Sequence, residues 1–326
     1  MTSVCVVGAG AVGGTIGARL AAAGLPTSAL ARGATLTALR EHGWRLRSAD
    51  GELVAPVRAS SDPDQLGEHD VVVIAVKGQS LDGLAPTLGP LVGPDTTVLA
   101  ALNGIPWWFF AGIGDAAQGI SLPAVDPTGA IAQVLPPERT VGGVVHFSAS
   151  TPDPGVAVLN AGNRLVVGDA VPGGDRAASL GSLLGTAGFD TEVVPRIHDA
   201  AWFKLWGNLT MNPLSVITGA TSDRILDDEL VAQFVRSAMT EAMAIGDAIG
   251  CPVDQTVDER FAVTRQLGAM RTSMLQDAAA GRSIELDPLV TAVAQLGRRM
   301  NVPTPTIDAL LGLARLWGRV HGAYPD

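Results

Sequence analysis

The chain has 326 residues, 47% of them hydrophobic and 17% charged, with a formal net charge of −10. That length accommodates about two domains, each able to bury a sizeable core, and the low charge density excludes a disordered chain. The acidic balance argues against nucleic acid as the main partner, since phosphate backbones need a surplus of Lys and Arg, but a few local cations still suffice for a small anionic ligand.

The chain opens with a short apolar strand, Val4 to Val7, followed by helix formers from Ala11 to Ala23 and a second strand at Pro26 to Leu30. Asp70 to Val76 is a continuous apolar run, as expected of a strand covered on both faces, and Thr97 to Leu102 is another. This alternation predicts an α/β fold with an N-terminal Rossmann-type, doubly wound parallel sheet. Between 138 and 172 the pattern changes to short strands separated by Gly, Pro and Asp, which would add antiparallel or mixed strands at the sheet edge. A helix at Ala177 to Ala187 and a strand at Thr191 to Val194 then lead to Pro195, the expected boundary. Helical periodicity follows at His198 to Leu209, Asp228 to Ile249, Asp258 to Ala280 and Pro288 to Met300, the last announced by Asp287-Pro288 as cap and first helical residue. Residues 1–195 therefore read as a cofactor domain and 196–326 as a C-terminal all-helical domain.

Cys5 lies in an apolar run and Cys251 after an expected helix end, so neither suggests a disulfide framework or a thiolate metal site. No basic segment followed by a long apolar run opens the chain, and apolar stretches break before about 18 residues. The expectation is a cytoplasmic protein with no membrane partner. The five His residues lack metal-ligand spacing; His146 and His198 read as structural.

Gly8-Ala9-Gly10-Ala11-Val12-Gly13 is a G-x-G-x-x-G turn between the first strand and an Ala-rich helix. The first glycine permits the tight turn, the second lets backbone approach a pyrophosphate, and the third lets helix pack on strand. The helix N-terminus offers N–H groups and partial positive charge to the phosphates. At the end of the second strand an NAD-preferring fold places Asp or Glu. This chain has Ala31-Arg32-Gly33, and Arg32 can pair with a 2′-phosphate, which points to NADP(H); a solvated loop arginine is the other reading. Lys77 and Asn103 end the next two buried strands, where open α/β sheets bind ligands. A surface lysine and an ordinary turn asparagine are their plainer readings.

In AAWFKLWGNLTMNPLSVITGA, Lys204, Asn208 and Asn212 recur every fourth residue and share one stripe of a helix amid Trp, Phe and Leu. Lysine beside asparagine amides can bind a 2-oxo carboxylate and protonate a developing alkoxide; incidental polarity is the alternative. Further on, TSMLQD and IELD contribute Ser273 and Glu285, which periodicity alone assigns to surface and loop.

Taken together, GAGAVGG, Arg32, Val76-Lys77, Asn103-Gly104, WFKLWGNLTMNPL and TSMLQD with IELD resemble the ketopantoate reductase (2-dehydropantoate 2-reductase) family over nearly the whole chain. That resemblance implies NADPH bound by Gly8 to Gly13, Lys77 and Asn103, with Glu285 near cofactor and active site. It implies Lys204 as catalytic proton donor, with Asn103, Asn208, Asn212 and Ser273 as substrate contacts. The implied reaction is hydride transfer to the C2 carbonyl of a branched 2-oxo acid, a step of pantothenate biosynthesis; separately, the apolar helix faces of the second domain suggest a homodimer. The chain departs from the family pattern at Ser222, Val290, Thr291 and Trp107-Trp108, positions expected to reshape the substrate pocket. Two rivals follow: a paralogue reducing another ketone, and a non-catalytic cofactor-binding sensor.

Overall fold

The computed structural model describes residues 1–325. Its contacts divide the chain into two compact units: 1–102, 106–112 and 128–197 form one, and 103–105, 113–127 and 198–326 the other.

The first unit holds β1 (Val4–Val7), α1 (Ala11–Ala22), β2 (Thr27–Leu30), α2 (Gly33–His42), β3 (Trp44–Ser48), β4 (Gly51–Ala55), β5 (Arg58–Ser60), α3 (Pro63–Leu66), β6 (Val71–Ile74), α4 (Gly78–Leu84), β7 (Thr97–Ala100), α5 (Ala130–Val134), β8 (Thr140–Asp153), β9 (Val156–Asp169), α6 (Arg176–Thr186) and β10 (Asp190–Val193). They build one mixed sheet in the order β4-β3-β9-β8-β7-β6-β1-β2-β5, with β10 also paired to β9. From β5 to β8 every pairing is parallel, as the sequence rhythm predicted. The β-branched residues of β1 and β6 are buried along their whole length, which explains their unbroken apolar pattern.

The region from 138 to 172 forms two 14-residue antiparallel strands rather than three short ones. Three register shifts break their ladder, and Gly162 at φ +77° takes up one of them. Strands β3, β4 and β5 had no expectation attached to them. Trp44 of β3 is fully buried, and its Nε1 donates to Thr27 Oγ1 at 2.9 Å. Its ring occupies the space that a side chain at Gly17 would need, so α1 lies directly on it.

The second unit is helical: α7 (Ile197–Thr218, whose first residue belongs to the first unit), α8 (Ser222–Asp227), α9 (Glu229–Ala248), α10 (Val257–Gln266), α11 (Ser273–Ala279), α12 (Ala292–Arg299) and α13 (Pro305–Val320). Helix α7 runs nine residues beyond its expected end at Leu209 and carries Pro213 inside it. The expected helix Asp258 to Ala280 is two helices, because Gly268 at φ +60° interrupts it. Trp206 Nε1 donates to the Met239 carbonyl at 2.9 Å and fixes α7 on α9. The Glu241 carboxylate accepts from the N–H groups of Thr306 and Ile307, both at 2.9 Å, so α9 caps the N-terminus of α13. Among the described residues, no helix is long and apolar enough to cross a membrane.

Candidate functional site

In the first unit, the parallel registers align the ends of three strands: Val7 of β1 sits opposite Leu30 of β2 on one side and Ile74 of β6 on the other. The residues that follow these ends share the carboxyl edge of the sheet. Gly8 turns the chain there at φ +94°, and a Cβ on it would lie 2.7 Å from Val76 Cγ1. A Cβ on Gly13 would lie 2.1 Å from the Gly8 carbonyl oxygen, so α1 can start against the turn only if this residue is glycine. Gly10, the N-cap of α1, is exposed, and a Cβ there would meet nothing within 4 Å. Backbone N–H groups at the start of α1 have no helical acceptors, and its first turn has no acid and no capping side chain. This is an open cradle for an anion, one in which the donor set is backbone.

Two cations flank it. Arg32 is the exposed N-cap of α2, and it has no ion-pair partner among the described residues. No acid occupies Ala31 to Leu36. Lys77 is the N-cap of α4, directly after β6. Gly8 to Gly13, Arg32 and Lys77 thus line one edge of adjacent strands.

In the second unit, Lys204 of α7 donates from Nζ to Asn103 Oδ1 at 2.9 Å. Enclosure of the ammonium by protein lowers its pKa from 10.5 to about 8, and the charge of Glu285 acts in the opposite, raising sense. Lys204, Asn103 and Glu285 therefore come together although they lie far apart in sequence. Asn208 and Asn212 follow Lys204 along α7; Asn212 is only 4% exposed. Neither carboxamide has a hydrogen-bond partner among the described residues. Ser273 is exposed at the first position of α11, and its neighbour Thr272 caps that helix while sharing a 2.6 Å hydrogen bond with Ser215 of α7.

What the sequence reading missed is how this arrangement is held. Asp287 to Thr291 is a π-helical turn, one residue wider than an α turn, between Glu285 and α12. The Pro288 carbonyl accepts from Ile105 N at 2.9 Å. Gly104, at φ +83°, lies so close to it that a Cβ would sit 2.5 Å from that oxygen. The turn thereby seats the loop that carries Asn103. It is held in turn by Asp287 Oδ1, which accepts from Tyr324 Oη at 2.6 Å and Thr291 Oγ1 at 3.0 Å. Burial and the Asp287 charge push the Tyr324 phenol up to about 12, so it stays a donor.

The positions that depart from the family pattern are all engaged in packing. Val290 is fully buried and Thr291 bonds to Asp287. Ser222 is buried with its Oγ donating to the Met270 carbonyl at 3.2 Å. In the first unit, Trp107 Nε1 donates to the Leu135 carbonyl at 2.8 Å, and Trp108 is buried against Gly142. His146 is exposed on β8, and His198 is fully buried near the start of α7. No group of three or more potential metal-ligating residues occurs among the described residues.

Comparison with known proteins agrees with these motifs. Residues 4–172 match the family described as Ketopantoate reductase PanE/ApbA, and residues 196–317 match Ketopantoate reductase PanE/ApbA C terminal. A 2-dehydropantoate 2-reductase of Mesorhizobium japonicum is 41% identical over 325 residues, 98% of this chain and 99% of the relative. A crystal structure from Ralstonia solanacearum MolK2 is 51% identical, covers 99% of both chains and superposes with a TM-score of 0.95. The ternary structure of D-mandelate dehydrogenase with NADH and anilino(oxo)acetate shares the fold at a TM-score of 0.84, with 22% identity over 98% of this chain and 99% of that one.

The role of the π turn can be tested at its remote end. Tyr324→Phe removes a hydrogen bond to a carboxylate, so it should lower the unfolding free energy by about 1.5–3 kcal/mol. Urea denaturation measures this. An unchanged midpoint would show that the bond does not support the turn.

Proposed function

This chain belongs to the ketopantoate reductase family, and we propose that it reduces a 2-oxo acid, ketopantoate or a related one, to the 2-hydroxy acid with NADPH. The observation that carries the reading is Lys204: an enclosed ammonium, bonded to Asn103, whose pKa of about 8 keeps it protonated yet able to release its proton near neutral pH. When bound, NADPH supplies the hydride.

The cradle at Gly8 to Gly13 fits a pyrophosphate, because its donors are backbone and Gly10 leaves the approach open. Arg32 pairs with the 2′-phosphate, and Lys77 supports phosphate or ribose. Asn103 contacts both cofactor and substrate, and Glu285 lies beside them. Lys204 polarises the C2 carbonyl, stabilises the negative charge that develops on its oxygen, and delivers the proton to it. Glu285 moderates the loss of the Lys204 proton, since its charge favours the ammonium. Asn208, Asn212 and Ser273 hydrogen-bond the polar groups of the substrate. The same reading includes a cytoplasmic setting, a homodimer and, for ketopantoate, a place in pantothenate biosynthesis.

Purified protein with NADPH should oxidise it only when a 2-oxo acid is added, followed by the loss of NADPH absorbance. A panel containing ketopantoate, smaller 2-oxo acids and benzoylformate separates a ketopantoate reductase from a paralogue. Activity with no member of the panel would overturn the proposal. Lys204→Met should lower kcat by ~10²–10⁴ while leaving NADPH affinity intact.

The pH profile follows from the same lysine. For reduction the ammonium must be charged, so kcat/KM should be flat below about 8 and fall tenfold per unit above it. Glu285→Gln removes a raising influence, so the alkaline limb should move to lower pH. A limb that stays in place or moves up contradicts the assigned pair.

Cofactor choice tests Arg32. Arg32→Ala should raise KM for NADPH by ~10–100-fold, as expected for loss of a charge-assisted contact, and leave KM for NADH unchanged. Equal effects on both cofactors would remove Arg32 from the 2′-phosphate site.

A further inference from the structure

Helix α10 carries a cation that the reaction outlined above leaves without a role. Arg260 reaches across to α7, where its guanidinium carbon lies 4.8 Å from the centre of the Phe203 ring. Its Nη2 lies only 2.5 Å from where a Cβ on Gly207 would be, so the group rests on helix backbone that a side chain would cover. Gly207 is three residues beyond Lys204. At about 100° per residue it lies some 60° from Lys204 and 40° from Phe203 around the helix, which puts Arg260 on the flank of the Lys204 stripe.

Among the described residues, none pairs with this cation. Arg260 Nε is buried and has no acceptor. The guanidinium has no hydrogen-bond or ion-pair partner among the described residues. The acids beside it on α10 are committed elsewhere: Asp258 pairs with Arg236, and Glu259 closes the capping box with Thr256. Two other arginines stack on phenylalanine, and both have acceptors. Arg19, over Phe189, bonds Asn163 and the Gly188 carbonyl; Arg236, over Phe261, bonds Asp258. Burying an uncompensated cation is costly unless an anion supplied from outside completes it.

We propose that Arg260 is a carboxylate-binding residue: it receives the carboxylate of the 2-oxo acid, while Lys204 addresses the neighbouring carbonyl oxygen. This rests on the reductase reading above. A guanidinium held over Phe203 can offer a carboxylate two N–H groups at once, a contact that lysine cannot reproduce. Gly207 is part of the device, because its missing side chain is what admits the guanidinium.

The test uses binding as well as turnover. Oxamate, an unreactive analogue of a 2-oxo acid, is titrated calorimetrically into the full-length protein with NADP⁺ present. Arg260→Met should weaken oxamate binding and raise KM for the 2-oxo acid by ~10–100-fold, with kcat changed far less and oxamide, which lacks the carboxylate, bound no differently. Arg260→Lys should recover only part of the loss. Gly207→Ala, a change that favours helix in itself, should weaken oxamate binding by displacing the guanidinium, and it covers the case in which Arg260→Met does not fold. Unchanged oxamate affinity in a folded Arg260→Met protein, or an equal loss for oxamide, would overturn the proposal. If the wild type binds oxamate through Arg260 but reduces no 2-oxo acid, the reductase reading fails and the carboxylate site stands.

Discussion

The hydrogen bond from Lys204 Nζ to Asn103 Oδ1 is the contact around which the second unit is organised. An ammonium enclosed by Trp- and Leu-rich helix loses hydration, and that loss drives its pKa down. A carbonyl acceptor compensates for part of the lost hydration without adding charge, and Glu285 adds charge without full neutralisation. The result is an acid strong enough to give up its proton near neutral pH. Positioning Asn103 is therefore a requirement, and much of the surrounding backbone meets it: Gly104 at positive φ, the Pro288 carbonyl on Ile105, and a widened helical turn whose Asp287 is held by Tyr324 and Thr291.

The first unit solves a different problem by different means. The cradle at Gly8 to Gly13 presents main chain, so its requirements fall on which residues lack side chains. Gly8 must turn left-handed, Gly13 must clear a carbonyl at 2.1 Å, and Gly10 must stay open. The strand registers then carry Arg32 and Lys77 to the same edge, because β2, β1 and β6 end in line. Backbone donors tolerate little variation, whereas the flanking cations can change with the phosphate they meet.

This contrast explains what could be read from the sequence. The glycine turn was legible because its steric demands fall at fixed spacing, and the Lys204, Asn208 and Asn212 stripe was legible because helical period alone aligns it. The parallel core strands were legible from their unbroken β-branched runs. Ser273 and Glu285 gave no local signal and came only through resemblance to a family. The π turn left no trace, since widening a turn by one residue changes no composition, and Asp287-Pro288 read as an ordinary helix start. Its partner Tyr324 stands 37 residues away. Helix α7 runs past its expected end at Leu209 although Pro213 disfavours helix locally, a preference that burial of Met211, Leu214 and Val216 overrides. Trp107, Trp108 and Val290 were bulky or unusual in the pattern, and the structure spends them on packing.

Charge distribution joins the two halves of the chemistry. The chain as a whole carries −10, yet Arg32 and Lys77 in one unit, and Lys204 and Arg260 in the other, stand at the positions where anionic ligand groups are expected. A diffuse acidic surface repels anions weakly, through solvent and salt, whereas a desolvated cation attracts one at short range with far less screening. The local term wins at contact distance. Glu285 moderates the Lys204 cation on α7, whereas burial alone acts on the Arg260 cation on α10. In the proposed reaction, a 2-oxo acid carries its carboxylate adjacent to the carbonyl oxygen that takes the proton, so one ligand presents groups suited to both cations. Binding and proton delivery then fall, in that proposal, to two separate cations on adjacent helices.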